Sequence, residues 1–114
     1  MLELPNKFYK WQEFDCFTLA QEMRSLLNLE PLPDFNWIYR EYNKLNYPKD
    51  LVKVFLDAYA KQSNVDKANL VCLDWEGYKA LGTVYQGTII YIINKPIQRP
   101  IERLRLWIDS FWFY

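Results

Sequence analysis

The sequence predicts an α+β domain, with N-terminal helices packed on a small antiparallel sheet. Three observations lead there. Residues 15–64 carry apolar side chains at helical spacing, residues 68–114 carry β-branched and aromatic runs broken by turn residues, and no linker, repeat or low-complexity stretch divides the 114-residue chain. Helices followed by strands define this class. The length suits a single domain, 1–114, able to bury a modest core.

Residues 1–14 hold Pro5, Phe8, Tyr9, Trp11 and Phe14 without periodicity and read as an irregular arm laid over the body. Asp15 offers an N-cap oxygen. From Cys16 to Leu29, Leu19, Met23, Leu26 and Leu27 recur at helical spacing, with Gln21, Glu22, Arg24 and Ser25 between them. Pro31 and Pro33 end this helix. A second helix is expected from about Trp37 to Lys44, with Ile38, Tyr42 and Leu45 as its stripe. Pro48 fits the first turn of a third helix, with Asp50 near its positive end. Leu51, Val54, Phe55, Ala58 and Tyr59 would form its buried face, and Gln62-Ser63-Asn64 closes it.

Beyond Ala68 the pattern becomes one of strands. Asn69-Leu70-Val71-Cys72-Leu73 is a short apolar run suited to a buried strand, and Trp75-Glu76-Gly77-Tyr78 reads as a turn. Gln86-Gly87 joins residues 81–85 and 88–93 in a hairpin. The run Thr88-Ile89-Ile90-Tyr91-Ile92-Ile93 is the strongest strand signal, being β-branched and aromatic throughout. Asn94-Lys95-Pro96 stops it. Residues 101–108 are expected as another strand because Leu104-Arg105-Leu106 alternates, and Phe111-Trp112-Phe113-Tyr114 follow.

Lys and Arg number 14, as do Asp and Glu, so no basic excess points to nucleic acid. The start, Met1-Leu2-Glu3-Leu4-Pro5, lacks the charged and apolar regions of a secretory leader. No apolar run reaches the length of a membrane span. With two distant cysteines, Cys16 and Cys72, and no histidine, neither a disulfide framework nor a metal site is expected. Only three glycines are present, and none builds a phosphate loop, so no cofactor is expected. Aromatics make up 18% of the chain, more than so small a core hides easily. Phe8, Tyr9, Trp11, Trp37, Trp107, Phe111, Trp112, Phe113 and Tyr114 are therefore expected at an interface with other protein subunits or a second copy. The competing reading folds the two aromatic ends back onto the core.

Three segments, in order, carry a resemblance. They are Phe14-Asp15-Cys16-Phe17-Thr18-Leu19-Ala20, Leu29-Glu30-Pro31-Leu32-Pro33-Asp34 and Ala68-Asn69-Leu70-Val71-Cys72-Leu73-Asp74-Trp75. They resemble the Asp-Cys helix start, the Leu-Pro-Asp turn and the Gly-Asp-Leu-Val strand of the NlpC-like cell-wall endopeptidases, a papain-like family, in the version carried by bacteriophage tails. The resemblance implies a minimal papain-like core with Cys16 at the nucleophile position. It also implies a virion setting, in the tail or at its junction with the head. Active members carry a histidine in a segment like His-Val-Gly-Ile-Tyr. Here Ala80-Leu81-Gly82-Thr83-Val84-Tyr85 matches that segment, so Ala80 stands at the histidine position. Tyr91 or Asn94 falls nearest the third, ring-orienting position.

A thiol attacks as thiolate, and an imidazole must both take its proton and protonate the leaving amine. This chain has no histidine. No catalytic residues are therefore expected, and Asp15, Cys16 and Ala80 read as vestigial positions of a non-catalytic structural or interaction protein. Cys16 then serves as a small apolar side chain. The alternative is a peptidoglycan endopeptidase acting as the phage enters its host, with Cys16 as nucleophile and the base supplied by another chain.

Overall fold

The computed structural model describes residues 2–42 and 50–114. Helices α1 (Cys16–Leu26), α2 (Asn36–Tyr42) and α3 (Leu51–Tyr59) pack against one antiparallel sheet. Its strands are β1 (Lys61–Ser63), β2 (Leu70–Trp75), β3 (Tyr78–Tyr85), β4 (Thr88–Ile92), β5 (Pro96–Pro100) and β6 (Ile108–Phe113). Their spatial order is β1-β6-β2-β3-β4-β5. The domain is therefore α+β. Lys44, Leu45 and Pro48, and the side chain of Tyr42, expected in the second and third helices, lie outside the described residues.

Helix α1 starts where Asp15 caps it and stops earlier than its apolar spacing suggests. Asn28 takes a left-handed backbone conformation, φ 57°, which Asn tolerates better than most residues. Its N–H donates to Ser25 O (3.3 Å) and the Leu29 N–H to Arg24 O (2.8 Å), the double bond pattern of a Schellman stop. The buried face is Phe17, Leu19, Ala20, Met23 and Arg24. Leu26, expected inside, is 52% exposed. Arg24, expected among surface groups, is 1% exposed. Its Nε donates to Glu30 O, its Nη2 donates to Tyr114 O (2.7 Å), and its Cζ lies 5.3 Å from the Tyr114 ring centroid.

Helix α3 buries Leu51, Val52, Phe55 and Leu56, whereas Val54, Ala58 and Tyr59 are exposed. Both sets obey helical spacing around Leu51 and Phe55, so periodicity alone does not decide which neighbours turn inward. The helix ends at Tyr59, and Lys61–Ser63 pairs with β6 as a short edge strand instead of closing the helix.

Two tight hairpins organise the sheet. Glu76 and Gly77 (φ 52° and 92°) join β2 to β3, and Gln86 and Gly87 (φ 47° and 75°) join β3 to β4. Two residues with positive φ match the twist of the flanking strands. Side chains alternate between two faces. Leu70, Cys72, Leu81 and Trp112 join Phe17, Ala20, Phe55 and Leu56 under the helices, and Ile90 and Ile92 join Leu19 and Met23. Val71, Leu73, Ile89, Tyr91 and Leu104 form a cluster on the opposite, far face.

That far face is covered in part by a 3₁₀-helix, Ile101–Trp107, where a strand was expected. Within it Leu104 is buried but Leu106 is 93% exposed, so the alternation at 104–106 marks no sheet face. The three-residue turn instead lets Arg105 make two 2.7 Å hydrogen bonds to the Glu102 carboxylate. Strand β5, read from the sequence as a stop signal, lies at the sheet edge, where prolines are tolerated because no ladder donor is needed.

Candidate functional site

The candidate site is the cleft at the start of α1. Asp15 is fully buried. Its Oδ1 accepts the Phe17 and Thr18 N–H groups (3.0 and 3.1 Å), and its Oδ2 accepts the Gln12 N–H (3.0 Å). Thr18 Oγ1 accepts the Asp15 N–H (2.7 Å), which completes a capping box. The carboxylate thus holds the helix start. Tyr39 is buried beside it, and the hydroxyl makes no hydrogen bond of ordinary geometry. Burial first and the Asp15 charge second push that phenol well above its usual range.

Cys16 occupies the first turn of α1 and lines a cleft of about 240 Å³ together with Tyr9, Trp11, Trp75, Lys79 and Ala80. Helix dipole and first-turn N–H groups favour a thiolate, but burial dominates here. It pushes the Cys16 thiol up to about 12, the Leu81 backbone opposing and the Asp15 carboxylate adding to the rise. Cys72, fully buried on β2, is likewise pushed up to about 12, by burial first and the Asp109 charge second. Both cysteines are free thiols.

Strand β3 brings different groups to this cleft than the sequence suggests. Ala80 pairs with Leu73, a far-face residue, and packs against the far-face cluster. Alternation puts Lys79 and Leu81 on the α1 side. Lys79 is the cation of the cleft. Its Nζ lies 2.6 Å from Asp74 Oδ2 and 3.4 Å from Asp109 Oδ1, and Asp109 also faces Lys53 Nζ at 3.5 Å. The Asp74 hydrogen bond raises the Lys79 ammonium above its ordinary value, and that same bond lowers the Asp74 carboxyl. At Asp109 burial opposes ionisation, but the Ser110 hydroxyl and the two lysines outweigh it and the carboxyl lies below its ordinary value. Sequence spacing passed over Lys79. Its pairing across the turn with Asp74 was the available signal.

Neither residue read for the ring-orienting position reaches the cleft. Tyr91 belongs to the far face, with its ring centroid 5.9 Å from that of Trp75. Asn94 is exposed, and its carbonyl accepts the Tyr9 N–H (2.7 Å). Ile92 and Ile93 line the wall instead. Among the described residues, no three His, Cys, Asp or Glu side chains gather as a metal site requires.

The aromatic residues expected at an interface divide into three groups. Phe8, Tyr9, Trp107 and Phe113 are exposed. Trp11, Trp37, Phe111 and Tyr114 are partly buried, Trp11 standing edge-on to Tyr39 at 5.0 Å. Trp112 is 3% exposed and is core, its indole N–H donating to Ser110 Oγ (2.8 Å). The C-terminal aromatics are no tail. Phe111, Trp112 and Phe113 belong to β6, an interior strand between β1 and β2, and alternation sends Trp112 to one face and Phe111 to the other.

Fold and cleft together define a class no narrower than an α+β domain whose cleft is lined by a half-buried, helix-borne thiol and a lysine. No protein-family model matches the chain, and no curated protein or solved structure matches it. Among the described residues no helix is long and apolar enough to cross a membrane.

Proposed function

We propose that this domain is a non-catalytic structural or interaction protein, built on an inactivated NlpC-like, papain-like fold. One observation carries the reading. The chain contains no imidazole to activate the half-buried cysteine at the nucleophile position, and the surroundings of that thiol favour its protonated form. The cysteine-bearing helix packed on an antiparallel sheet agrees with the papain-like arrangement that the Asp-Cys start implies. The setting that follows from the resemblance is a bacteriophage virion, in its tail or head–tail junction, with other protein subunits as partners.

The test is hydrolysis. Purified protein incubated with murein stem peptides is expected to release no product. Turnover that disappears in Cys16→Ala would overturn the reading. Turnover by intact particles alone, again lost in Cys16→Ala, would establish the peptidase alternative with its base on another chain.

A further inference from the structure

A second cleft, of about 540 Å³, opens on the far face of the sheet. Its walls are aromatic. Trp75 stands 5.9 Å from Tyr91 and 5.3 Å from Trp107, centroid to centroid. Tyr91 and Leu104 are buried beneath, whereas Trp107 and Ile93 are 39% and 60% exposed. Arg99 on β5 and Arg103 on the 3₁₀-helix line the same cleft, and both are exposed. Neither has an ion pair among the described residues, although the neighbouring Arg105 is held by Glu102. Trp75 and Ile93 also line the Cys16 cleft, so the two depressions adjoin across the end of the sheet.

Ring walls left partly open, with unpaired guanidinium groups at their edge, have the composition of a protein interface, where Trp, Tyr and Arg are enriched. Guanidinium groups pair best with carboxylates, through forked hydrogen bonds. A nucleic-acid strand would need a track of cations. No lysine lines this cleft, and the chain carries equal numbers of basic and acidic residues. We infer that this cleft receives an acidic segment of a partner protein, one large apolar side chain seating on the exposed faces of Trp107 and Ile93 while carboxylates engage Arg99 and Arg103. This rests on the interaction role proposed above and names the chemistry of the partner.

The experiment is selection of random displayed dodecapeptides on the immobilised full chain, followed by anisotropy titration of the enriched peptide. The expected peptides combine Asp or Glu with an aromatic or large aliphatic residue. Their affinity should fall at least tenfold in the double variant Arg99→Glu/Arg103→Glu, and also in Trp107→Ala. Both arginines are exposed, so the double variant should melt as the wild type does. No enrichment, enriched peptides without acidic residues, unchanged affinity in the arginine variant, or tighter binding of oligothymidine would each overturn the inference. None of these outcomes depends on Cys16, so failure here is separate from failure of the hydrolysis test.

Discussion

Alkylation of Cys16 is the most direct probe of the proposed inactivity. With the thiol pushed up to about 12, the thiolate fraction at pH 7 is on the order of 10⁻⁵, against roughly 3% for a free cysteine. A more basic thiolate is intrinsically faster, and over that gap a Brønsted slope of about 0.45 recovers roughly 40-fold. The net expectation is iodoacetamide alkylation about 100-fold slower than free cysteine at pH 7. The pH profile has a defined sign. Reactivity requires loss of the proton, so the rate climbs about tenfold per pH unit from 7 to 9.5 and does not level in that range. Peptide mapping by mass spectrometry separates Cys16 from Cys72 in the unmodified chain. A rate equal to free cysteine at pH 7, or a plateau below pH 8, would mean that a nearby cation activates the thiol, and the proposed inactivity would fail.

Three further predictions concern stability, each read from a denaturant melt. Leu19→Ala should cost about 2–5 kcal/mol as a buried leucine, whereas Leu26→Ala, at 52% exposure, should cost less than about 1 kcal/mol; equal costs would mean that the α1 face is misplaced. Gly82→Ala should destabilise by about 1–3 kcal/mol, because a Cβ there would stand 2.8 Å from Val71 Cγ1 and 3.1 Å from Ile89 Cγ2; an unchanged midpoint would show that the far-face cluster yields. Arg24→Ala should cost about 3 kcal/mol through two charge-assisted hydrogen bonds to carbonyls, and Arg24→Met should recover part of it by keeping the stem packed; a neutral Arg24→Ala would refute the clamp on Tyr114.

Which features were legible in the sequence follows from how local their causes are. The α1 start was, because Asp15 and Thr18 lie three residues apart and bond each other. The Gln86-Gly87 hairpin was, because two adjacent residues supply both positive φ angles. The errors arose where a long-range partner decides. Leu104-Arg105-Leu106 alternates like a strand, but of its two leucines Leu104 alone finds the far-face core. Arg24 reads as surface until Glu30 and Tyr114, six and ninety positions away, supply its acceptors. Which sheet face position 80 takes is likewise set at long range: Ala80 pairs with Leu73 and turns to the far face, where Gly82 is needed for close packing against Val71.

Lys79 is the charged β3 side chain that lines the Cys16 cleft. Two properties disqualify it as a substitute for imidazole. A base must be neutral to accept a proton, and the Asp74 hydrogen bond raises the lysine's proton affinity. A cation stabilises a thiolate only with charge to spare, and Asp74 and Asp109 both draw on this one. The Asp-Cys pair at the helix start needs no catalytic explanation either. Asp15 accepts three backbone N–H groups and fixes where α1 begins, while Cys16 fills the wall between the two helix-side clusters. Folding alone accounts for both residues, so the pair's presence carries no weight for activity and the state of the thiol carries all of it.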